Sequence, residues 1–468
     1  MENGCYKLSW RERIGFSSGD LAQNLIYQTV SIWLLFFYTN VYGLKPSVSA
    51  VMFLVVRIID VIWDPIVGAF IDKANPRWGK YRSWLIFAGI PLAAFAILCF
   101  WNGFSGSLLY AYVTYVGMSM CFTLINVPYS ALNSSLTRDT HEITVLTSVR
   151  MFMANLAGLI IKTLPLVIAI FAPKAYNADT GRMEAVYNTP ESAGAWFITM
   201  SIFALTGLAL LVWCFFESKE RIVMDAKDTE NVKVSDLWME LVRNRPLRVL
   251  SFFFIVAYTT MSISNAADSY FMTYNIGATP FMTTAFMWLG TIPAFIFLPL
   301  VPAIKKKIGK AGMFRLFLGI SVVGMILMYA VISVPALKSC FPLLCVVQFI
   351  KSAGILVATG YMWALVPEVV TFGEYTTGRR VAAIVGSLIC IFMKAGMALG
   401  GVIPGLVLAW VGFDSAAKIQ TPLAEQGILW LVTLIPAVLF VLAIFIIGKY
   451  ELSDERMDEI NMEIAKRR

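Results

Sequence analysis

Two aspartates inside one apolar segment carry the clearest chemistry in this sequence. Asp60 and Asp64 are four residues apart, so they lie on one face of a helix, and Arg57 precedes them by one turn. Two carboxylates at this spacing resist carrying two negative charges, so the pair should hold a proton or bind a cation. The pattern predicts a site that exchanges H⁺ or Na⁺. A structural pair of Arg57 with Asp60 is the alternative, although such a pair needs no second acid.

Two other apolar segments carry polar residues at helical spacing. One repeats them every four positions, at Asp20, Asn24 and Gln28. The other places five of them on one predicted helix face, namely Ser119, Thr123, Asn126, Ser130 and Asn133. Such stripes suit a ligand rich in hydroxyl groups, although hydrogen bonding between helices favours the same residue types. We interpret the two stripes as the lining of a cavity.

Basic residues in apolar segments need a cavity or a partner, because an ionisable group in hydrocarbon costs about 2.5–3.5 kcal/mol on insertion scales. Lys394 lies roughly 21 Å or more along a helix from either end of its segment, too far for snorkelling. Arg150 is shallower, and snorkelling is an alternative there. If Asp20 balances only one base, an acidic sugar would suit the other, whereas neutralisation by Glu368 or the aspartate pair would leave a neutral sugar site. Further ionisable residues in such segments are Lys162, Asp268 and Lys351.

The elements that position these residues are membrane-spanning helices. Of the 468 residues, 59% are hydrophobic and only 14% are charged, and the mean hydropathy is +0.74, outside the range of soluble domains. Uninterrupted apolar runs of about 20 residues match a bilayer, and they lack the alternation of barrel strands. We predict an all-α membrane protein with twelve spans, near 15–41, 47–71, 83–102, 107–134, 144–172, 193–216, 248–276, 279–304, 313–333, 340–370, 381–411 and 425–448.

The distribution of Lys and Arg predicts the orientation of these spans. The termini and alternate loops hold 27 of the 37 basic residues. The opposite loops hold only Lys45, Lys174, Arg182, Lys338 and Lys418. Because cytoplasmic loops are rich in these residues, both termini should be cytoplasmic. The net charge of +8 therefore needs no nucleic-acid partner, and we expect none.

A long polar stretch divides the spans six from six, which is typical of a major-facilitator fold with two six-helix bundles around a central cavity. The predicted organisation is an N-terminal bundle 1–216, a cytoplasmic linker 217–247, a C-terminal bundle 248–448 and a cytoplasmic tail 449–468. A faint repeat supports it, since Asp72–Arg82 after span two has a counterpart in Lys305–Lys310 after span eight. The first of these combines an acid, a glycine and several bases, and such a loop can latch two helices.

Five stretches of the chain resemble the glycoside–pentoside–hexuronide:cation symporters, the group of melibiose, glucuronide and xyloside permeases. They are Arg57–Pro65, Arg77–Arg82, Ile125–Tyr129, Trp363–Glu368 and Phe372–Arg380. The resemblance covers nearly the whole chain. It implies a cation site at Asp60, Asp64 and Thr123, and a sugar site at Asn24, Asn126, Arg150 and Lys394. We add Asp20 and Ser130 to the substrate-binding set. The predicted cytoplasmic gate consists of Asp72, Arg77, Lys80, Arg82, Glu368, Glu374 and Arg380.

The chain departs from the pattern of the melibiose permeases at several positions. Acids in those proteins are replaced here by Asn24 and Asn126, so their scheme for a neutral galactoside cannot be copied. Trp63 stands where an Asn helps to bind Na⁺, which favours H⁺ as the coupling ion. Thr371 and Ala382 replace acids near the gate, so the contacts that form the gate should differ from those of the melibiose permeases.

These observations predict import of a sugar or glycoside, with a hexuronide as one candidate, coupled to H⁺ or Na⁺ by alternating access. The protein should be a multi-pass monomer of the bacterial inner membrane, whose partners are the substrate and the lipid bilayer. We expect no enzyme activity, catalytic residue, metal site or cofactor beyond the coupling ion, because the known motifs for these are missing. The alternatives are a uniporter or exporter of amphipathic compounds, which would not need both aspartates, and a membrane sugar sensor, which would bind without flux.

Overall fold

The computed structural model describes two helical units. The described residues are 6–74, 76–137, 140–177, 182–221, 241–377, 382–415, 417 and 420–467. Unit 1 comprises Met1–Glu230 with Thr279–Thr284 and Asp414–Lys418. Unit 2 comprises Asn231–Ala278, Ala285–Phe413 and Ile419–Arg468.

The first half of the chain contains eight α-helices and one short hairpin within the described residues. The helices are α1 (Trp10–Asn40), α2 (Pro46–Lys73), α3 (Ser83–Phe87), α4 (Gly89–Cys99), α5 (Leu108–Leu136), α6 (Thr140–Ile161), α7 (Leu164–Phe171) and α8 (Ala193–Glu217). A 3₁₀ turn at Pro190–Ser192 precedes α8. The antiparallel strands β1 (Lys174–Asn177) and β2 (Arg182–Ala185) pair with Lys174 opposite Ala185.

The second half contains eleven α-helices within the described residues. They are α9 (Arg245–Tyr270), α10 (Pro280–Leu289), α11 (Ile292–Phe297), α12 (Val301–Ser333), α13 (Pro335–Lys338), α14 (Phe341–Tyr361), α15 (Val366–Thr377), α16 (Ala382–Trp410), α17 (Pro422–Val432), α18 (Leu434–Ile447) and α19 (Asp454–Arg467). A π-helix, Phe271–Ile276, continues α9, and 3₁₀ turns lie at Leu298–Leu300 and Met362–Leu365. Gly309 interrupts α12 with φ of 71°, a conformation that glycine adopts without a steric penalty.

Polar side chains mark where several of these helices begin. Ser9 and Glu12 form a capping box at the start of α1, in which each side chain binds the backbone N–H of the other residue. The side chains of Ser107, Asn244 and Thr421 likewise accept N–H bonds at the starts of α5, α9 and α17. These caps satisfy amide groups that the first turn of a helix leaves without partners.

The helices account for all twelve predicted spans. Within the described residues, eight helices are long and apolar enough to cross a membrane, and the bent pair Val149–Ile161 and Leu164–Phe171 supplies a ninth. The remaining three predicted spans coincide with α1, α2 and the consecutive helices α3 and α4. The prediction of an all-α membrane protein with twelve spans is confirmed.

The two units repeat the same pattern of helix packing. In unit 1, α1 packs on α6 and α8, α2 packs on α5, and α4 packs on α5 and α8. In unit 2, α9 packs on α16 and α18, α11 packs on α14, and α12 packs on α14 and α18. The corresponding helices follow one another in the same order along the chain, as an internal repeat requires. The domain boundaries at 216, 247 and 448 stay a prediction.

Large apolar side chains lie on the outside of the spans as well as in the cores. Leu109 is 76% exposed and Phe445 is 68% exposed, and both lie within apolar helices. In a soluble protein such surfaces would drive aggregation, whereas in a bilayer they face hydrocarbon. Several of the charged side chains described next are buried inside the units.

Candidate functional site

Asp60 is enclosed inside unit 1, where both of its carboxylate oxygens have partners. It is only 5% exposed. The hydroxyl of Ser119 on α5 donates to Oδ1 at 2.5 Å, and Arg57 Nη1 lies 3.3 Å from Oδ2. Arg57 also donates to the hydroxyl of Tyr27 on α1 at 2.5 Å. Asp60 and Arg57 of α2 therefore connect α2 to α5 and to α1.

Asp64 lies one turn further along α2 and is more accessible than Asp60. Its Oδ1 accepts a hydrogen bond from the hydroxyl of Thr123 on α5 at 3.1 Å. Ser119 and Thr123 are four residues apart, so the two hydroxyls of α5 match the two carboxylates of α2. The indole of Trp63 donates to the carbonyl oxygen of Met120 at 3.3 Å, beside the same contact.

This cluster can hold a proton or a small cation. Three of its oxygen-bearing side chains, those of Asp60, Asp64 and Thr123, are the residues predicted for the cation site, and the structure brings them together. Arg57 can balance one of the two negative charges on α2. Within the described part of the chain, no group of three or more His, Cys, Asp or Glu side chains could hold a metal ion. A cation at this position would therefore rely on two carboxylates and neighbouring hydroxyls.

Asp20 and Arg150 form a second charged contact in unit 1. Arg150 donates from Nε to Oδ2 of Asp20 at 2.6 Å and from Nη2 to Oδ1 at 3.2 Å. The hydroxyl of Tyr129 donates to the same carboxylate at 2.7 Å, and its ring lies 4.9 Å from the Arg150 guanidinium. Such a bidentate pair fixes both side chains in orientation. Asp20 therefore balances Arg150, one of the two bases on which the acidic-sugar hypothesis was based.

The polar stripe of α1 forms a ladder along one helix. The Asn24 amide donates to the carbonyl oxygen of Asp20 at 2.8 Å, and the Gln28 amide donates to Oδ1 of Asn24 at 2.7 Å. The three side chains are partly buried. They present amide groups next to the Asp20–Arg150 pair.

The polar stripe of α5 divides into two parts. Ser119 and Thr123 are buried against α2, whereas Asn126 and Ser130 are exposed. Ser130 donates to the carbonyl oxygen of Asn126 within its own helix at 2.8 Å. The part of this helix face that carries Ser119 and Thr123 therefore contacts the aspartates. The part that carries Asn126 and Ser130 remains accessible.

Lys394 lies on α16 in unit 2 and is partly buried. Glu368, proposed above as one possible neutralising acid, lies 2.7 Å from Lys310. Another pair in unit 2 was not predicted as a pair: Lys351 Nζ lies 3.1 Å from Oδ1 of Asp268. Each residue is recognisable in the sequence as an ionisable group in an apolar segment, but no sequence signal joins positions 83 residues apart.

On the cytoplasmic side of unit 1, the loop Gly79–Arg82 and Glu220 form a clamp. The Glu220 carboxylate accepts backbone N–H bonds from Lys80 at 3.0 Å and from Tyr81 and Arg82 at 2.8 Å each. Gly79 has φ of 122°, and a Cβ there would lie 2.8 Å from the carboxylate. Glycine is needed at this position for both reasons. Sequence reasoning identified the loop but missed Glu220.

On the cytoplasmic side of unit 2 lies a second clamp, which consists of Lys305, Lys310, Glu368 and Asp454. The buried Lys310 ammonium contacts Glu368 at 2.7 Å and Asp454 at 2.9 Å, and Lys305 contacts Asp454 at 3.1 Å. Tyr450 donates to Glu368 at 3.2 Å. Burial opposes ionisation of the Asp454 carboxyl, but hydrogen bonds from the two lysines hold its pKa below the ordinary value.

The other predicted gate residues are distributed as follows. Arg77 is exposed, and Arg82 donates to the carbonyl oxygen of Trp78. Glu374 is partly buried on α15. Arg380 and the side chain of Asp72 lie outside the described residues. The gate as a whole stays a prediction.

Comparisons with known proteins agree over nearly the full length of the chain. Residues 15–454 match a family model described as MFS/sugar transport protein. The uncharacterized symporter YnaJ of Bacillus subtilis (strain 168) is 42% identical over 466 residues, which cover 98% of this chain and 96% of that protein. A glucuronide carrier protein homolog of Escherichia coli (strain K12) is 31% identical over 467 residues, with coverages of 99% and 97%. The crystal structure of a D-xylose-proton symporter has a TM-score of 0.61 at 14% identity, covers 95% of this chain and 98% of that one, and shows likeness of fold alone.

Proposed function

We propose a cation-coupled sugar symporter, because this chain belongs to the MFS/sugar transport protein family, within the glycoside–pentoside–hexuronide:cation symporter group. It is a multi-pass protein of the bacterial inner membrane. The observation that carries the proposal is the acid pair, Asp60 and Asp64, aligned with the hydroxyls of Ser119 and Thr123. A carrier that is not coupled to a cation would not need two carboxylates at this position.

Coupling follows from the charge of the acid pair. With Arg57 balancing one carboxylate, α2 retains one negative charge when both aspartates are ionised. A bound cation neutralises that charge and favours the outward-open, substrate-binding state. Transport then proceeds by alternating access, and no catalytic step is required.

We infer that the coupling ion is H⁺ rather than Na⁺. Trp63 lies one residue before Asp64, and its indole is bonded to the backbone of α5 beside the Asp64–Thr123 contact. A proton needs one oxygen atom, whereas Na⁺ needs several oxygen ligands. The indole offers a hydrogen-bond donor and no oxygen.

The substrate is proposed to be a sugar or glycoside, bound by Asp20, Asn24, Asn126, Ser130, Arg150 and Lys394. The Asp20–Arg150 pair and the amides of α1 offer donors and acceptors that suit vicinal hydroxyl groups. The pairing of Arg150 with Asp20 removes one argument for an acidic sugar. Lys394 and the relative named as a glucuronide carrier protein homolog keep hexuronides among the substrates to be tested.

A thermal-shift screen of the purified protein tests the substrate class. Sugars and glycosides, neutral and acidic, are compared with and without Na⁺ at two pH values. A specific stabilisation by a sugar supports the proposal, and uptake of that sugar into proteoliposomes against its gradient establishes symport. Binding without flux would favour the sensor, and stabilisation only by amphipathic compounds would favour the uniporter or exporter.

Competition with an acidic sugar tests the role of Lys394. If the substrate is a hexuronide, excess glucuronide blocks uptake, and Lys394→Met removes that block because the side chain no longer carries a charge. Inhibition by neutral glycosides alone assigns a neutral sugar. The size-exclusion behaviour of the same preparation tests whether the protein is a monomer.

A further inference from the structure

Unit 2 contains a buried ion pair whose members are Asp268 on α9 and Lys351 on α14. The lysine side chain is 1% exposed, and the aspartate side chain is 11% exposed. Gln348, one turn before Lys351, donates to the second carboxylate oxygen at 3.1 Å. A charged group at this depth in a membrane protein needs a functional reason. The proposed sugar and cation sites use neither residue.

The lysine end of this pair is held rigidly. The hydroxyl of Ser321 on α12 donates to the carbonyl oxygen of Lys351 at 2.5 Å. Gly324 on α12 approaches so closely that a Cβ would lie 2.6 Å from the Lys351 backbone nitrogen. The ring of Phe286 lies 5.9 Å from the ammonium. The backbone of Lys351 on α14 is therefore packed tightly against α12.

The aspartate end lies next to a change in helix type. Asp268 is three residues before Phe271–Ile276, where α9 continues as a π-helix that ends at Gly277 in the left-handed conformation. Such π-helical turns interrupt the regular helix register and are frequent at functional sites. The regular hydrogen-bonding pattern of α9 is therefore interrupted directly beyond Asp268.

Two buried polar atoms beside the pair are unsatisfied. Ser264 Oγ, one turn before Asp268 on α9, and Gln348 Oε1 lack a hydrogen-bond partner within the described residues. Buried polar groups in native proteins are rarely left in this state. The contact between α9 and α14 around the ion pair therefore leaves hydrogen-bonding capacity unused.

We propose that the Asp268–Lys351 pair is a reversible latch for the outer part of α9, which extends from Asp268 to the end of the π-helix at Ile276. The pair holds this part against α14 in one state of the transporter and releases it in another. Lys351 keeps its position against α12, and Asp268 moves with the outer part of α9. The pair is neutral as a whole, so opening it exposes two charges and requires water or a new partner on the Asp268 side. A permanent brace would not explain why the pair borders a π-helix.

Cysteine labelling on intact cells tests the latch without any substrate, so its outcome is independent of the proposed function. The reporter is Ser264→Cys in a background in which the cysteines of the described residues that are not buried, Cys340, Cys345 and Cys390, are replaced by serine. A membrane-impermeant maleimide is applied from outside. In the double variant Asp268→Asn with Lys351→Gln, which leaves no unpaired charge, we expect labelling to accelerate about tenfold.

Two matched variants complete the experiment, and only variants present in the membrane at parental amounts are compared. The exchanged pair, Asp268→Lys with Lys351→Asp, should return labelling to near the parental rate. Arg245→Gln removes an exposed ion pair with Glu451 in the same unit and should change nothing. A parental labelling rate in the double neutral variant overturns the latch, as does fast labelling in the exchanged pair.

Discussion

Each unit buries a charged cluster between its helices, but the clusters differ in their balance of acids and bases. In unit 1, the two aspartates of α2 are accompanied by one arginine of the same helix, which contacts Asp60. In unit 2, one aspartate meets one lysine. The hydroxyls of α5 provide the other contacts in unit 1, whereas an amide provides them in unit 2.

This difference separates the two possible uses of charge inside a membrane protein. A neutral pair needs no bound ion to balance its charge. A cluster with an additional acid can take up a positive charge from outside. From this difference we propose that coupling takes place in unit 1 and conformational control in unit 2.

The largest expected effect is the loss of accumulation when either acid of the pair is removed. Asp60→Asn and Asp64→Asn should each lower concentrative uptake by roughly a hundredfold while retaining exchange across the membrane, because the driving ion no longer binds. Uptake and counterflow in proteoliposomes measure the two activities. Asp458→Asn, an exposed acid of α19, is the matched control. Accumulation at the normal rate in either variant would contradict the coupling assignment.

If the coupling ion is H⁺, uptake should depend almost completely on the pH gradient. Collapsing that gradient should reduce uptake about tenfold or more, whereas replacing Na⁺ by choline at constant pH should change it less than about twofold. The reason is the indole of Trp63 beside the acid pair. Strict Na⁺ dependence would overturn this assignment, and gain of a Na⁺ response in Trp63→Asn would support it.

Removing one hydroxyl from the cluster should have an intermediate effect. Thr123→Ala deletes the donor to Asp64, and loss of a hydrogen bond to a charged group is worth about 1.5–3 kcal/mol. We expect the pH dependence of uptake to shift and the rate at neutral pH to fall about tenfold. Thr123→Ser keeps the hydroxyl and should behave as the parent. Equal behaviour of the two variants would remove Thr123 from the site.

The clamps offer a smaller effect that compares the units directly. Lys310→Gln leaves Glu368 and Asp454 without their shared ammonium, and Glu220→Gln weakens three bonds to backbone amides. We expect a loss of about 2 kcal/mol of stability for the first variant and about 1 kcal/mol for the second, because Lys310 is the more buried group. Thermal melting in detergent ranks them. The reverse order would show that the amide-bound carboxylate is the stronger clamp.

The smallest expected effect is that of pH on the clamp of unit 2. The pKa of Asp454 is lowered in the folded protein, so its stabilising contribution is fully present above the ordinary carboxyl pKa. That contribution is lost only as the pH falls through the lowered value. Between roughly pH 5 and 8, melting of the parent and of Asp454→Asn should therefore differ by a constant amount. A difference that changes within this window would contradict the contacts with Lys305 and Lys310.

Uninterrupted apolar runs were sufficient to predict the spans, and helical spacing was sufficient to predict half of the cation cluster. The spacing of Asp60 and Asp64 fixes their common face whatever the rest of the fold does. The division of the α5 stripe was not predictable, because helical spacing does not say where the axis of a neighbouring helix crosses it. Ser119 and Thr123 lie at that crossing with α2, and Asn126 lies beyond it.

Long-range charge partners were the other part that the sequence did not predict. Asp20 and Arg150 were proposed together only by charge counting, and their bidentate contact joins positions 130 residues apart. Asp268 was recognisable as a buried acid, but the choice of Lys351 over other bases depends on how α9 and α14 pack. Glu220 lies outside every apolar segment, so the rule that identifies costly membrane charges does not apply to it.

The positions of the two clamps along the chain also set the order in which the units can mature during synthesis. Glu220 leaves the ribosome before the first residue of α9, so the N-terminal unit can acquire its clamp while the rest of the polypeptide is still being made. The clamp of the other unit needs Asp454, which follows the last span. A nascent chain that stalls or is cleaved between α18 and residue 454 would therefore carry one sealed unit and one whose Lys310 lacks an acid from the tail. In such a chain Lys310 would have Glu368 as its remaining acidic partner.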